Sequence, residues 1–297
     1  MKESYRQDFL KAGSIAKEVR AFGKELIKKD ASYNEVVSQI NQKIIQLGAR
    51  AAFPPQIALN EVAAHFIPHP GQDIIFKDDI VKLDIGVCYN GAIGDCAVTI
   101  DLSLKYQKLI EAAEAALLGA EQSLHVGQEI SEIGKIIAET ITSYGFKPIK
   151  NLAGHGLGYY KVHMPPSIPN YKDKSKGVLT KGMTFAIEPF ATTGKGMIYE
   201  EGEPEIFSFL ANRSIKSPGA RSLLEKIKTL QGLPFATQDL VTDKHSLADV
   251  KKGLSELLTA GVIVGYGPLI EEEHGLVAQA ENSVLIDDNG TITITTR

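Results

Sequence analysis

The sequence predicts an α/β fold of the mixed (α+β) type, in which amphipathic helices flank antiparallel strands. Residues 81–100, VKLDIGVCYNGAIGDCAVTI, place β-prone residues on both sides of Asn90-Gly91, a pattern typical of a hairpin. The segments before and after this hairpin carry apolar residues at helical spacing. The chain therefore begins with two helices, one hairpin and two further helices.

The first hairpin brings two aspartates together. With a two-residue type I′ turn, Asp84 pairs with Ala97, and Asp95 pairs with Gly86. Both carboxylates then point to the same face as diagonal neighbours, roughly 5–8 Å apart. Carboxylates this close repel each other unless a cation lies between them, so the pair indicates either a metal site or a solvated sheet edge.

Two helices precede the hairpin. The first is predicted over residues 7–29, which combine apolar periodicity with the lack of an early proline. Ser32 and Glu35 form a capping box at the start of the second helix, and Gly48 stands in the position of the glycine that ends it. Both helices are expected to bury one apolar face.

A proline-rich connector and two later helices surround the hairpin. Residues 53–71 form the connector, in which His65 is expected to turn inward and His69 lies between prolines. Either histidine can equally be an ordinary surface residue. Helical periodicity returns over residues 104–124 and 130–144, after the hairpin.

Three further candidate ligands lie in the second half of the chain. His155 lies in the glycine-rich stretch AGHGLG, where it is either a turn residue or a metal ligand, and His163 follows eight residues later. Glu188 lies in the apolar strand GMTFAIEPFAT, where an acidic residue is costly unless it is paired or bound to metal. Glu281 precedes a second hairpin and has no strand partner within it.

The last third of the chain contains a helical block and that second hairpin. Residues 217–265 carry two amphipathic helices, each ended by a glycine, without strand-like alternation between them. This pattern predicts a helical insertion. Its two helices and the following VIVGY are also compatible with a small winged-helix module, although the mixed charge argues against DNA contact. A turn at Asn289-Gly290 predicts that Leu285 pairs with Ile294.

Composition narrows the class of protein. The 297 residues are 43% hydrophobic with a net charge of −4, and they contain neither a membrane-spanning apolar run nor a signal peptide. We therefore expect a cytoplasmic protein that acts on small molecules or peptides, without sequence-specific nucleic-acid binding and without membrane attachment. Cys88 and Cys96 lie on opposite faces of the hairpin and are expected to stay reduced. No phosphate-binding glycine motif and no GxSxG motif is present.

Five candidate ligands emerge, four carboxylates and one imidazole. They are Asp84, Asp95, His155, Glu188 and Glu281. A carboxylate-rich set with one nitrogen suits a pair of divalent ions such as Mn, Co, Fe or Zn, bridged by carboxylates at about 3.5–4 Å.

The motifs that carry these residues resemble those of the methionine aminopeptidases. The motifs are LDIGV, GDCAVT, AGHGLGYYKVH, AIEPF and AQAEN. The spacing of the two histidines, the helical block and the segment GARAAFPPQIALNEVAAH resemble the type 2 branch in its short archaeal form. The resemblance implies a pita-bread fold with curved antiparallel sheets flanked by helices, in which residues 1–297 form one catalytic domain and 217–265 its insertion.

The resemblance also implies a role for each ligand. Asp84 would bind one metal ion, and Asp95 and Glu281 would bridge it to a second. His155 and Glu188 would complete the coordination of the second ion, and Glu188 would act as the general base of peptide hydrolysis. The family uses Co, Mn, Fe, Zn or Ni, and the sequence does not select among them.

The resemblance further implies how the substrate binds. His65 and His163 match two histidines of the family that hydrogen-bond the scissile amide and the reaction intermediate. The methionine side chain would enter a pocket lined by Phe53, His65, Val162, His163, Tyr266 and Leu269. The expected substrates are N-terminal methionine peptides and nascent chains with a small second residue, with the ribosome as a candidate place of action and a monomer as the expected state.

Two departures and two alternatives stay open. Asn282 stands where many type 2 relatives have histidine, and Met164-Pro165 replaces their Ala-Gly. Both departures are expected near the substrate pocket, where they would alter substrate preference. The alternatives are an Xaa-Pro aminopeptidase or dipeptidase of the same fold, and a pita-bread protein that has lost catalysis and serves as a binding module.

Overall fold

Seven helices and eighteen short strands form the fold in a computed structural model that describes residues 1–297. The helices are α1 (Glu3–Leu26), α2 (Tyr33–Gln46), α3 (Gln107–Ser123), α4 (Ile130–Ser143), α5 (Pro218–Lys228), α6 (Thr237–Leu240) and α7 (Leu247–Thr259). No helix combines the length and the apolar character needed to cross a membrane.

The strands range in length from two residues to ten. The strands of the first half are β1 (Arg50–Ala51), β2 (Gln56–Leu59), β3 (Val62–Ala64), β4 (Ile80–Tyr89), β5 (Ala92–Asp101), β6 (Lys147–Pro148), β7 (Ala153–Gly158), β8 (Lys161–Pro169) and β9 (Thr184–Ile187). Those of the second half are β10 (Phe190–Thr192), β11 (Ile198–Glu200), β12 (Ile206–Phe209), β13 (Phe235–Ala236), β14 (Ile263–Tyr266), β15 (Leu269–Glu271), β16 (Val277–Gln279), β17 (Asn282–Ile286) and β18 (Ile292–Ile294).

Two sheets, each packed against helices, build the core. Strand β4 pairs with β1, β2 and β5, while a five-stranded sheet has the order β18-β17-β9-β7-β8. Helices α1 and α2 cover the face of β4 that carries Leu83, Ile85 and Val87, opposite the aspartates. Helices α3 and α4 cover the five-stranded sheet through Phe185 and Ile187. The opposite face of the β4–β5 hairpin, which carries Asp84 and Asp95, therefore remains available for a site.

The first hairpin forms in the predicted register. Asp84 pairs with Ala97, and Asp95 pairs with Gly86. Asn90 has φ 48° and Gly91 has φ 87°, as a type I′ turn requires at both central residues. The predicted position of both carboxylates on one face is thereby confirmed.

The helices before and after the hairpin are also confirmed, with shifted ends. The Oγ of Ser32 accepts the N–H of Glu35 at 3.2 Å, and Gly48 has φ 75° just after α2. Helix α3 begins at Gln107 instead of residue 104, because the carboxylate of Asp101 accepts the backbone N–H groups of Ser103 and Tyr106 and holds a turn there.

The prediction of an irregular connector over residues 53–71 is wrong in part. Strands β2 and β3 form within it, joined by a turn in which Asn60 has φ 50°. Strand β2 begins after Pro54-Pro55 and pairs along β4, from Gln56 opposite Asp84 to Leu59 opposite Val81. Because both prolines precede the strand, they remove no hydrogen bond from the ladder.

The predicted register of the second hairpin is wrong by one residue. Leu285 pairs with Thr293 instead of Ile294. The carboxylate of Asp287 accepts the backbone N–H groups of Asn289 and Thr291, both at 2.9 Å, and Gly290 has φ 93°. These contacts favour a three-residue turn with a glycine bulge over the two-residue turn that the Asn-Gly pair predicts.

The helical block has a core of its own. Helices α5 and α7 pack on the sheet β13-β12-β14 through buried residues that include Leu223, Leu254 and Phe207. The expected lack of a strand between the two helices is wrong, because Phe235–Ala236 pairs with β12. Strand β12 precedes residue 217, so the sheet joins the block to the chain that leads into it. Its assignment as a winged-helix module stays a prediction.

Candidate metal centre

One cavity of about 270 Å³ is lined by every candidate site residue of the sequence analysis. These residues are Phe53, His65, Asp84, Asp95, His155, Val162, His163, Glu188, Tyr266, Leu269 and Glu281. The cavity lies between the first hairpin and the five-stranded sheet. Residues that are far apart in the sequence thus meet in one cavity, which the acidic residues and the apolar residues line together.

Strand ends and strand pairing position the acidic residues. Asp84 and Asp95 lie on β4 and β5, while Glu188 and Glu281 lie at the adjoining ends of β9 and β17. Strand β9 pairs with β17 so that Ile187 faces Asn282, which brings Glu188 and Glu281 to the same edge. Because Pro189 follows directly, β9 ends there and the chain passes to β10, in another sheet.

His155 completes the cluster from strand β7. Its Nε2 lies 3.8 Å from Oδ2 of Asp95 and 3.7 Å from Oε1 of Glu188. One ligand atom each of Asp95, His155 and Glu281 lie within 4.8 Å of one another. These separations are too long for hydrogen bonds but suit atoms that converge on one ion through bonds of about 2.0–2.2 Å.

No lysine or arginine of the chain balances the negative charge of this acidic cluster. Burial raises the pKa of Asp84 to about 7, against the effect of a hydrogen bond from Gln279. Burial, followed by repulsion from neighbouring carboxylates, raises the pKa values of Asp95, Glu188 and Glu281 well above their ordinary range. The cluster has this effect because it gathers acids without a lysine or arginine partner.

Two buried oxygen atoms of the cluster have no donor at all. They are Oδ1 of Asp84 and Oδ1 of Asp95. A buried carboxylate oxygen without a partner is costly, and divalent cations are the partners that a set of carboxylates and one imidazole binds well. The residues present therefore fit a metal centre.

The histidines of the cavity are held in the neutral form. Burial, and next the nearby His163, lowers the pKa of His65 to about 4 and that of His155 to about 3. The rings of His155 and His163 lie 4.2 Å apart, and the ring of His65 lies 5.5 Å from that of Tyr266. A neutral imidazole can bind a metal through one nitrogen or exchange hydrogen bonds with a substrate.

His65 turns inward, as expected, through an unusual backbone conformation. Its φ is 58°, and its N–H donates to Oε1 of Gln56 at 2.7 Å. Gln56 was not recognisable as a site residue in the sequence, because its role depends on the strand pairing that sets it opposite Asp84. His69 lies outside the cavity and pairs with Glu205 at 2.6 Å.

The apolar side of the cavity forms a pocket beside the acids. Phe53, Val162 and Leu269 are almost fully buried, and Tyr266 closes the pocket beside His65. The ring of Phe53 packs against Gly86, where a Cβ atom would lie 2.2 Å from it. A residue larger than glycine at this position in β4 would therefore displace the pocket wall.

Several residues of the site have no signal in the sequence. Ile206 lines the cavity from β12, Pro234 from the helical block, and Phe190 from β10. Asn170 is fully buried and donates to the carbonyl oxygen of Glu188 at 3.1 Å. These contacts join segments whose neighbourhood only the tertiary fold determines.

The two departures lie next to the cavity in sequence, because Asn282 follows Glu281 and Met164 follows His163, and both Glu281 and His163 line it. Neither Asn282 nor Met164-Pro165 lines the cavity. Asn282 follows Glu281 on a strand, so its side chain points to the opposite face, where it is buried. Met164 is 39% exposed and lies against Gly158.

Comparison with known proteins identifies close relatives over the whole chain. The model of metallopeptidase family M24 matches residues 7–288. The methionine aminopeptidase of Methanocaldococcus jannaschii is 41% identical over 297 residues, covering 99% of each chain. The methionine aminopeptidase of Archaeoglobus fulgidus is 41% identical over 299 residues, covering 100% of each chain.

Solved structures share the fold. The crystal structure of methionine aminopeptidase from Thermotoga maritima aligns with a TM-score of 0.72 at 22% identity, covering 100% of this chain and 98% of that chain. A prolidase from Pyrococcus furiosus aligns with a TM-score of 0.63 at 20% identity, covering 100% of this chain and 64% of that chain. The expected pita-bread fold, with antiparallel sheets flanked by helices, is confirmed.

Proposed function

The chain belongs to metallopeptidase family M24, and from this premise we propose that it removes the N-terminal methionine from peptides and nascent proteins with a small second residue. One observation carries the proposal: a single cavity contains both the acidic cluster and the apolar pocket. A metallopeptidase needs the first for hydrolysis, and selection of a thioether side chain needs the second. The full-length relatives named methionine aminopeptidase support the same reaction.

The acidic cluster would hold two divalent ions. Asp84 would bind one ion, Asp95 and Glu281 would bridge both, and His155 with Glu188 would complete the second. The donor set accepts Co, Mn, Fe, Zn or Ni and does not select among them. When bound, such ions lower the pKa of a water molecule towards neutrality and stabilise negative charge that develops on a carbonyl oxygen.

The protein's own groups would move the proton and orient the peptide. Glu188, whose Oε1 lies 3.7 Å from His155, would take a proton from the attacking water and pass it to the leaving amine. His65 and His163, as neutral imidazoles, would hydrogen-bond the scissile amide. The methionine side chain would lie among Phe53, Val162, Tyr266 and Leu269, with the water excluded from the pocket by these apolar walls.

The two alternatives have less support. The relatives that match the whole chain are named methionine aminopeptidase, whereas the chain spans only 64% of the prolidase from Pyrococcus furiosus. A binding module that has lost catalysis is disfavoured because all five candidate ligands are present and line one cavity.

The setting of the reaction is also a proposal. Cys88 and Cys96 are both free thiols and buried, which suits the reducing cytoplasm. We propose that the chain acts there as a monomer on peptides and nascent chains. Action at the ribosome rests on the family resemblance alone.

A competition between two peptides tests the proposed function. The protein is first freed of metal with a chelator, which is then removed. It is supplied with Mn²⁺ or Co²⁺ and given the peptides Met-Ala-Ser and Ala-Pro-Ser as substrates. We expect release of methionine from the first and little cleavage of the second. Preference for Ala-Pro-Ser would overturn the methionine assignment in favour of an Xaa-Pro peptidase, and inactivity towards both peptides with either metal would favour a binding module.

A further inference from the structure

An arginine of helix α1 hydrogen-bonds the backbone of Glu281, directly before strand β17. The Nη1 of Arg20 donates to the backbone carbonyl oxygen of Glu281 at 2.9 Å. The only other backbone contacts of Glu281 are the longer ones to Ala97, at 3.3 and 3.4 Å. Arg20 therefore makes the shortest hydrogen bond to this residue, across 261 positions of sequence.

Asn282 anchors the same guanidinium. Its Oδ1 accepts from Nη1 of Arg20 at 2.9 Å and from the hydroxyl of Thr296 at 2.8 Å, while its Nδ2 donates to Oε1 of Glu121 at 2.7 Å. The Nη2 of Arg20 donates to the carbonyl oxygen of Thr296 at 2.7 Å. We call Arg20, Glu121, Asn282 and Thr296 the rear network. Each polar atom of the Asn282 side chain is thus used in it.

The rear network lies on the opposite side of the strand from the candidate metal centre. It borders a separate cavity of about 440 Å³, which Lys17, Lys24 and Arg297 also line. Close packing does not enclose Arg20 on that side, so hydrogen bonds to three acceptor groups fix its position. Arg20 forms no salt bridge with a carboxylate, which leaves its charge directed at the carbonyl of Glu281.

The next residue of the strand performs a similar task for the second bridging ligand. The Oγ of Ser283 accepts the N–H of Asp95 and donates to the carbonyl oxygen of Asp95, each at 2.8 Å. The N–H of Ser283 donates in turn to Oγ1 of Thr296, a member of the rear network. Residues 281–283 therefore join the backbones of both proposed bridging residues to one set of hydrogen bonds.

We propose that Arg20 and Asn282 are positioning residues of the metal centre, which hold the backbone of Glu281 so that its carboxylate is placed to bridge two ions. The proposal rests on the proposed function only in requiring that the acidic cluster binds metal. It gives Asn282 a role away from the substrate. Partners behind the ligands of a metal typically alter metal affinity or activity by about 10–100-fold when they are removed.

The test measures Co²⁺ binding directly, through the visible d–d absorption of the bound ion. In Arg20→Met we expect the dissociation constant of Co²⁺ to rise by about 10–100-fold and the absorption spectrum to change. Arg20→Lys, which keeps the charge but offers a single donor group, should recover part of the affinity. Arg6→Met is the matched control, since Arg6 lies on the same helix near Asp287 and away from Glu281.

The outcomes separate positioning from a purely structural role. Co²⁺ affinity and spectrum unchanged in Arg20→Met, with a lowered melting temperature, would overturn the proposal, as would an equal loss of affinity in Arg6→Met. If Arg20→Met does not fold, Asn282→Ala takes its place, with an expected loss near the lower end of that range, about tenfold. Because no turnover is measured, a wild-type protein that releases no methionine would contradict the proposed function and leave this test intact.

Discussion

The buried carboxylate of Glu271 and the buried carboxylates of the metal centre have opposite surroundings. Glu271 is fully buried on β15, and its carboxylate accepts backbone N–H groups of Gly196 and Glu273 at 2.8 Å and of Gly275 at 3.0 Å. The carboxylates of the metal centre are also buried, yet Oδ1 of Asp84 and Oδ1 of Asp95 have no donor. The fold supplies donors to both carboxylate oxygens of Glu271 and leaves oxygen atoms of two acids in the metal centre without any donor.

The pKa values of these carboxyl groups differ in the direction that their surroundings predict. Burial acts to raise the pKa of Glu271, but the backbone donors outweigh it and the pKa is lowered. In the metal centre burial raises the pKa of Asp84 to about 7, and burial followed by repulsion from Asp84 raises the pKa of Asp95 well above its ordinary range. Burial alone therefore does not identify a functional acid. Clustered buried acids, some of whose oxygen atoms lack a donor, indicate that a cation is to be supplied from outside the chain.

The largest expected effect is on catalysis. Glu188→Ala should lower turnover of Met-Ala-Ser by at least about 10²-fold, because a positioned general base contributes about 10²–10⁴-fold. The melting temperature should be retained, since the change removes one of several repelling acids. Glu203→Ala serves as the control, because Glu203 is exposed in the loop between β11 and β12. Near wild-type turnover of Glu188→Ala with metal bound would contradict the assigned role.

The next effect is on metal affinity. Glu281→Gln should weaken Mn²⁺ binding, measured by calorimetric titration, by more than the roughly 10–100-fold that partners behind a ligand cost. The free energy of unfolding of the metal-free protein should not fall, because one of the four repelling carboxylates is neutralised. Unaltered Mn²⁺ affinity in this variant would remove Glu281 from the metal centre.

The same chemical change at Glu271 should have the reverse pattern. Glu271→Gln turns an NH₂ group towards backbone donors, and we expect the free energy of unfolding to fall by about 1–3 kcal/mol. Mn²⁺ affinity should stay at the wild-type value. Urea unfolding and calorimetric titration of both variants check the pair, and equal effects of the two substitutions would abolish the contrast between the two sets of acids.

The most gradual effect is on the pH dependence of stability. Folding raises the pKa of Asp84 from 3.8 to about 7. At pH values between these two pKa values, the metal-free folded state therefore binds more protons than the unfolded state. The free energy of unfolding should therefore fall as the pH rises from about 4 to about 7. Glu271 has the opposite sign, since its lowered pKa adds stability above its unfolded value, and that stability is lost as the pH falls.

Saturating Mn²⁺ provides the control for this pH dependence. The ions displace the protons of the cluster, so the fall in stability between about pH 4 and pH 7 should disappear when metal is present. Urea unfolding at pH 5 and pH 7, with and without Mn²⁺, measures the difference. The same slope under both conditions would show that the cluster does not respond to metal.

Local signals in the sequence were sufficient for the first hairpin but not for the second. Asn90-Gly91 sets the register of the first hairpin, in which Tyr89 pairs with Ala92 across the two-residue turn. In the second, the carboxylate of Asp287 binds two backbone N–H groups and selects a longer turn. The Asn-Gly pair is the same, and the residue before the turn decides the register.

The candidate ligands could be predicted because their chemistry is unusual for their local surroundings. Glu188 in an apolar strand is conspicuous, and the two aspartates share a face through simple strand alternation. Gln56, Asn170 and Arg20 could not be predicted in the same way. Their roles depend on contacts with residues that are distant in the sequence, and glutamine, asparagine and arginine are ordinary at such positions.

The requirement for metal in methionine release tests the central claim most directly. The chelated protein is titrated with Mn²⁺ while release of methionine from Met-Ala-Ser is followed at pH 7. Because the buried acids have no cation from the chain itself, we expect negligible release of methionine without metal. The rate of release should rise with Mn²⁺ and reach a plateau at no more than two ions per chain. Full activity of the chelated protein, or no release at any Mn²⁺ concentration, would contradict the claim that these carboxylates form the catalytic metal centre.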